Sequence, residues 1–125
     1  MILAALALIQ VPVLTPREQE VVVVGRRLKA FRGSFRSANG KTSCRVTRSS
    51  GDREIDALAC QAITECSKAV EPRVLAIGQN RALNAAGRRA AMAPINVEMG
   101  RCMQARHGAL VSTLADKRIA ARAAP

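Results

Sequence analysis

Read for its alternation of apolar and polar positions, the chain divides into four stretches. The first, residues 1–16 (MILAALALIQVPVLTP), carries no charged side chain, and only Gln10 and Pro12 interrupt the apolar run from Ile2 to Leu14. It is shorter than the roughly 20 apolar residues needed to cross a bilayer, and it resembles the apolar region of an export signal. Residues 17–30 contain four successive β-branched residues, Val21, Val22, Val23 and Val24, ended by Gly25 and bordered by Glu18, Glu20, Arg26 and Arg27. That run predicts an extended segment, able to form a short strand or to pair with a sheet edge.

The pattern is sharpest over residues 31–67. FRGSFRSANGKTSCRVTRSSG alternates with period two on either side of Asn39-Gly40, a strong signal for a two-residue hairpin turn. Phe31, Gly33 and Phe35 share one face of the first strand, and Thr42, Cys44 and Val46 share one face of the second. These residues are expected to look inward. The other face is arginine-rich, with Arg32, Arg36 and Arg45 forming a candidate anion-binding surface. Ser49-Ser50-Gly51 then turns into a helix from about Asp52 to Ser67, where Ile55, Leu58, Ala59, Ala62, Ile63 and Cys66 follow a single apolar face. Asp52, Glu54 and Asp56 lie at its start, where the helix dipole favours negative charge.

Residues 68–121 predict a helical extension. Pro72 is expected to end the first helix, and Val74 to Ile77 form a possible short strand. Pro94 is expected to separate an Ala/Arg-rich helix from another that starts near Asn96. Met99, Cys102, Met103, Leu110 and Leu114 share one side of that last helix, and the tail DKRIAARAAP is expected to fray. The fold class is therefore α+β: a small hairpin with a packed helix, followed by a helical extension.

Composition narrows the function. In 125 residues there are two aromatic side chains, Phe31 and Phe35, and much of the apolar content is alanine, so the core must be thin. Twenty Lys and Arg against nine Asp and Glu give a charge of +11, which favours anionic partners. Catalysis has little to rest on. His107 is the sole histidine, without an acidic residue nearby in sequence, and the cysteines form no C-x-x-C pair. No catalytic, metal or cofactor site is expected. The four cysteines, Cys44, Cys60, Cys66 and Cys102, behind a signal-like segment predict two disulfides in an exported chain.

Residues 31–67 also resemble a known family. An Asn-Gly-type hairpin followed by Val46, Ser49-Ser50-Gly51, Ile55-Asp56 and the small residue Ala59 is similar to the β-β-α core of the TonB C-terminal domain. The resemblance implies that scaffold and a cell-envelope location. It does not extend to energy transduction, because no counterpart of TonB's anchor, Pro-rich spacer or closing strand is read in this sequence. QEVVVVGRR similarly resembles the valine-rich box by which TonB-dependent receptors add a strand to TonB.

Two disulfide pairings remain open at this level. Helical spacing puts Cys66 in the apolar face and Cys60 to one side, which favours Cys44–Cys66. The resemblance to TonB-like domains with two cysteines implies Cys44–Cys60, leaving Cys66 for Cys102, and that is the pairing we adopt. Two functions follow. The preferred one is an exported, disulfide-stapled periplasmic protein of a Gram-negative cell envelope, without catalysis or a transmembrane span. It would bind an envelope protein or anionic envelope component. The alternative is a basic cytoplasmic protein that binds nucleic acid.

Overall fold

The computed structural model describes residues 10–39 and 41–125, so the first nine residues of the signal-like segment and Gly40 of the expected turn lie outside the described residues. The elements run α1 (Pro16–Ala30), β1 (Arg32–Ala38), β2 (Lys41–Arg48), α2 (Arg53–Gln79) and α3 (Ala85–Ala123). The molecule is an α+β fold in which the three helices pack on one another and a two-stranded antiparallel sheet lies against α2. Asn39 has φ 52°, a left-handed conformation that asparagine tolerates at a tight turn.

The extended segment expected over 17–30 is instead a helix. Thr15 and Glu18 form a reciprocal capping box, Pro16 occupies the first helical turn, and Arg27 and Lys29 sit in the last. Glu20, Val24 and Leu28 recur every fourth residue and are all buried, so packing selects the helical period. The valines oppose it by at most about 0.7 kcal/mol each, a propensity that tertiary contacts outweigh. Val21 to Val24 therefore have their backbone groups inside helical hydrogen bonds, and the extended conformation expected of a strand-addition segment is not the one adopted. Val22 and Val23 face outward.

Helix α2 starts where the pattern places it. Asp52 caps it by accepting from the N–H groups of Glu54 (3.0 Å) and Ile55 (3.2 Å). Just before it, the Asp56 carboxylate accepts from the Ser49 and Ser50 hydroxyls and from the Ser50 N–H (2.8 Å), while Gly51 takes φ 82°. The helix does not stop at Pro72, and Val74 to Ile77 are helical. Likewise α3 begins at the Asn84 cap and runs through Pro94 rather than restarting near Asn96. A proline deletes one helical hydrogen bond but is retained where flanking turns are held from outside. Here Arg73 makes a two-pronged ion pair with Glu98 (2.7 and 2.7 Å), clamping the end of α2 onto α3 just past both prolines.

The core joins Val24, Leu28, Phe31, Ile55, Ala59, Ile63 and Leu114 from α1, the α1–β1 junction, α2 and α3. The expected inward face of the hairpin is only partly covered. Phe31 is buried, whereas Phe35 and Val46 are 39% and 42% exposed, because one helix does not roof the whole inner face of the two-stranded sheet. Nor is the C-terminal tail frayed. Arg118 bonds Asp52 (2.7 Å) and approaches Glu54 (3.4 Å) and Glu20 (3.7 Å), while Lys117 reaches Glu54 (2.6 Å) and Arg122 reaches Glu20 (2.8 Å). Glu20 is 5% exposed, so this cluster is an internal clasp uniting α1, the start of α2 and the end of α3.

Candidate anion-binding hairpin

The hairpin is fixed to the helices at several points. Cys44 on β2 is bonded to Cys60 on α2, with Cα atoms 5.4 Å apart. Cys66 on α2 is bonded to Cys102 on α3, with Cα atoms 5.9 Å apart. The Thr42 hydroxyl donates to Glu71 (3.4 Å). At the foot of the hairpin a Cβ on Gly33 would lie 2.8 Å from Phe31 Cζ and 3.0 Å from Ile63 Cδ1, so only glycine lets the strand cross the buried ring.

The outward face is built by register. Ser34 pairs with Arg45, Arg36 with Ser43, and Ala38 with Lys41. Arg36 and Arg45 are thus diagonal neighbours on one face, where such pairs lie roughly 7–8 Å apart. Arg32 does not continue the row. The register shifts between Arg32 and Gly33, and the Arg32 guanidinium turns back to donate to the carbonyls of Lys29 (2.6 Å) and Phe31 (2.8 Å). Of the expected trio, Arg36 and Arg45 stand together and Arg32 is pinned at the base. Lys41 adds to the outer face and Arg48 pairs with Arg32 at the foot. Period-two reading could have included Lys41. The register shift has no signal in the sequence.

Charge is divided unevenly between sheet and helices. Eight of the nine carboxylates lie within helices and the ninth, Asp52, caps one. The strands and their turn hold Arg32, Arg36, Lys41, Arg45 and Arg48 and no acidic residue. Among the described residues no carboxylate pairs with Arg36, Lys41, Arg45 or Arg48, whereas Arg17, Arg73, Arg106, Lys117, Arg118 and Arg122 are all in ion pairs. A face of exposed cations without an ion-pair partner, on a stapled two-stranded sheet, can hold phosphate or carboxylate groups.

No family model, curated protein or solved structure matches this chain. Among the described residues no group of three or more His, Cys, Asp and Glu is arranged to hold a metal ion. His107 sits half-buried on α3, and burial first, then the nearby Lys29 charge, lowers its pKa.

The carboxylates of the capping region are held below their usual values. Hydrogen bonds from Ser49 and Ser50 do this for Asp56, against a smaller opposing effect of burial. Burial raises the Asp52 pKa, but Arg118 and the helix N–H groups together outweigh it. Lys117 and then Arg118 lower Glu54, burial opposing. For a carboxylate with a depressed folded pKa, the stabilisation is present above the unfolded value of ~4 and disappears as pH falls through the folded one. A histidine with a depressed folded pKa likewise loses its contribution as pH falls below ~6.5. Urea midpoints measured from pH 8 to pH 2.5 are therefore expected to show a shallow decline below pH ~6.5 and a steep one below pH ~4. His107→Gln should remove only the shallow step.

Proposed function

We propose that this chain is an exported, non-catalytic binding protein of the Gram-negative envelope that docks on anionic envelope components through its hairpin. The observation that carries this reading is the separation of charge: the ion pairs lie among the helices, and among the described residues none joins a carboxylate to Arg36, Lys41, Arg45 or Arg48 of the hairpin. Two disulfides fit an oxidising compartment. Among the described residues no helix is long and apolar enough to cross a membrane. The resemblance of residues 31–67 to the TonB C-terminal domain supports the same location, with the sheet as the binding element.

Each arginine near an anionic surface contributes about 1 kcal/mol, and salt screens that contribution. Arg36→Glu with Arg45→Glu changes only exposed side chains, so the fold should persist. The double variant is expected to bind phosphatidylglycerol vesicles and anionic peptidoglycan fragments at least roughly tenfold more weakly at low salt. Unchanged binding would remove the hairpin from the interface. Duplex binding that is sequence-selective and survives high salt would move the case to the nucleic-acid reading. Periplasmic fractionation with N-terminal sequencing tests the location separately, and four free thiols in the recovered protein would sink it.

A further inference from the structure

Two clefts of similar size flank the contact between α2 and α3, and their rims differ in charge. One, about 440 Å³, is bordered by Glu54, Glu65, Arg106 and Lys117. These four pair off as Lys117–Glu54 (2.6 Å) and Arg106–Glu65 (3.0 Å), so that rim is neutralised. The other, about 500 Å³, lies where α1 ends and β1 begins, against α2 and α3. Its apolar lining includes Leu28, Phe31, Ile63 and Met103, the first three of them buried. Its polar lining consists of Lys29, Arg32, Gln104 and His107, and no carboxylate lines it.

Several features suit the second cleft to a ligand. Its volume falls in the range of about 300–1,000 Å³ typical of small-molecule sites, with few polar groups around an apolar wall. Gly33 lines it and keeps the Phe31 ring tucked against Ile63, since any larger residue would clash with both. The Arg32 side chain is held by two backbone carbonyls, which fixes a cation beside the opening before any ligand arrives. Lys29 is exposed and has no carboxylate partner among the described residues.

We propose that this cleft binds an anionic amphiphile, with its apolar body against Leu28, Phe31, Ile63 and Met103 and its anionic head at Lys29 and Arg32. The charge complementarity is one-sided: a cationic or neutral amphiphile gains the apolar wall but not the rim. The site is separate from the outer face of the hairpin, so it stands or falls independently of the docking function proposed above.

The test uses the full, disulfide-bonded chain with methyl-labelled side chains. Dodecanoate, dodecyl phosphate, dodecanol and dodecyltrimethylammonium are titrated below their micelle concentrations, or for dodecanol below its solubility limit, and followed by NMR. Dodecanoate or dodecyl phosphate should shift the methyl signals of Leu28, Ile63 and Met103 and bind at least tenfold more tightly than the other two. The tighter of the two anions identifies the head group as carboxylate or phosphate. Lys29→Glu should weaken that binding at least tenfold, while Arg45→Glu on the hairpin leaves it within twofold. Met103→Trp, which fills the cleft, should abolish it without unfolding the protein. Equal affinity for dodecanol, shifts confined to the other cleft, equal loss in Arg45→Glu and Lys29→Glu, or no shifts at all would each overturn the proposal.

Discussion

Replacing Cys66 and Cys102 together by alanine is expected to lower the stability of the fold by about 4 kcal/mol. The bridge closes a separation of 36 residues, and loop-closure entropy scales to that value. The Cys44–Cys60 bridge closes 16 residues and is expected to contribute about 3 kcal/mol. Together these approach the whole stability of a typical domain, about 5–15 kcal/mol. The core offers little in reserve, since it is built mainly from a few Val, Leu and Ile side chains and only Phe31 of the two aromatics is buried. Thermal unfolding followed by circular dichroism should give a cooperative transition in oxidised protein and none at 37 °C after full reduction. A reduced protein with an unchanged midpoint would show that packing alone holds the fold.

Arg118→Met is the second large effect expected, a loss of about 2–3 kcal/mol. Arg118 is 21% exposed at its side chain and faces three carboxylates, Glu20, Asp52 and Glu54. Removing one partner of a buried pair costs about 3–5 kcal/mol when the other is left without compensation. Here Glu20 keeps Arg122 and Glu54 keeps Lys117, which reduces the loss. At about 4 °C per kcal/mol for a chain of this size, the midpoint should fall by roughly 8–12 °C. Adding Asp52→Asn removes the charge left without an ion-pair partner, keeps an oxygen that can cap α2, and should recover part of the loss, so the two changes are non-additive. A shift under about 2 °C would mean that the end of α3 is loosely held after all.

That result bears on what could be read from the sequence. The hairpin and the start of α2 were legible because local chemistry and tertiary packing agree there: Asn39 accepts the left-handed turn, Asp52 caps, and Ile55, Ala59, Ile63 and Cys66 fall on one buried face. The same helical spacing pointed Cys66 at Cys44, yet Cys44 meets Cys60, which sits half-buried at the side of α2 that the strand crosses. The pairing present is the one the TonB-domain resemblance implies. Elsewhere local signals were overruled. Four valines favour a strand, but a capping box and the four-residue spacing of Glu20, Val24 and Leu28 make a helix. Pro72 and Pro94 read as breaks, yet both helices run through them, packed on each other by contacts such as the Cys66–Cys102 bridge and the Arg73–Glu98 pair that join residues far apart in sequence. The role of DKRIAARAAP depends on Glu20 and Asp52, far earlier in the chain, which no local pattern discloses. For the candidate site, the cations were visible as residues, but their lack of neutralising partners emerged only from the placement of the carboxylates.

Cys60 and Cys66 sit on the same helix, and that constrains how the oxidised protein can mature. They are about 9 Å apart along its axis, too far to bond each other once α2 has formed. Of the three connectivities open to four cysteines, one is thereby removed early. The other two are nearly degenerate for an unfolded chain. Choosing Cys66 over Cys60 as the partner of Cys44 lengthens the closed loops from 16 to 22 and from 36 to 42 residues. The added closure entropy amounts to about 0.4 kcal/mol, roughly a factor of two at most. Chain statistics thus barely distinguish the native pairing from its swapped counterpart, and an early oxidant would produce both. Conversion of the swapped form requires thiol–disulfide exchange steered by burial of Phe31 and Ile63 beneath the hairpin, so maturation is expected to run faster with a disulfide isomerase than with an oxidant alone.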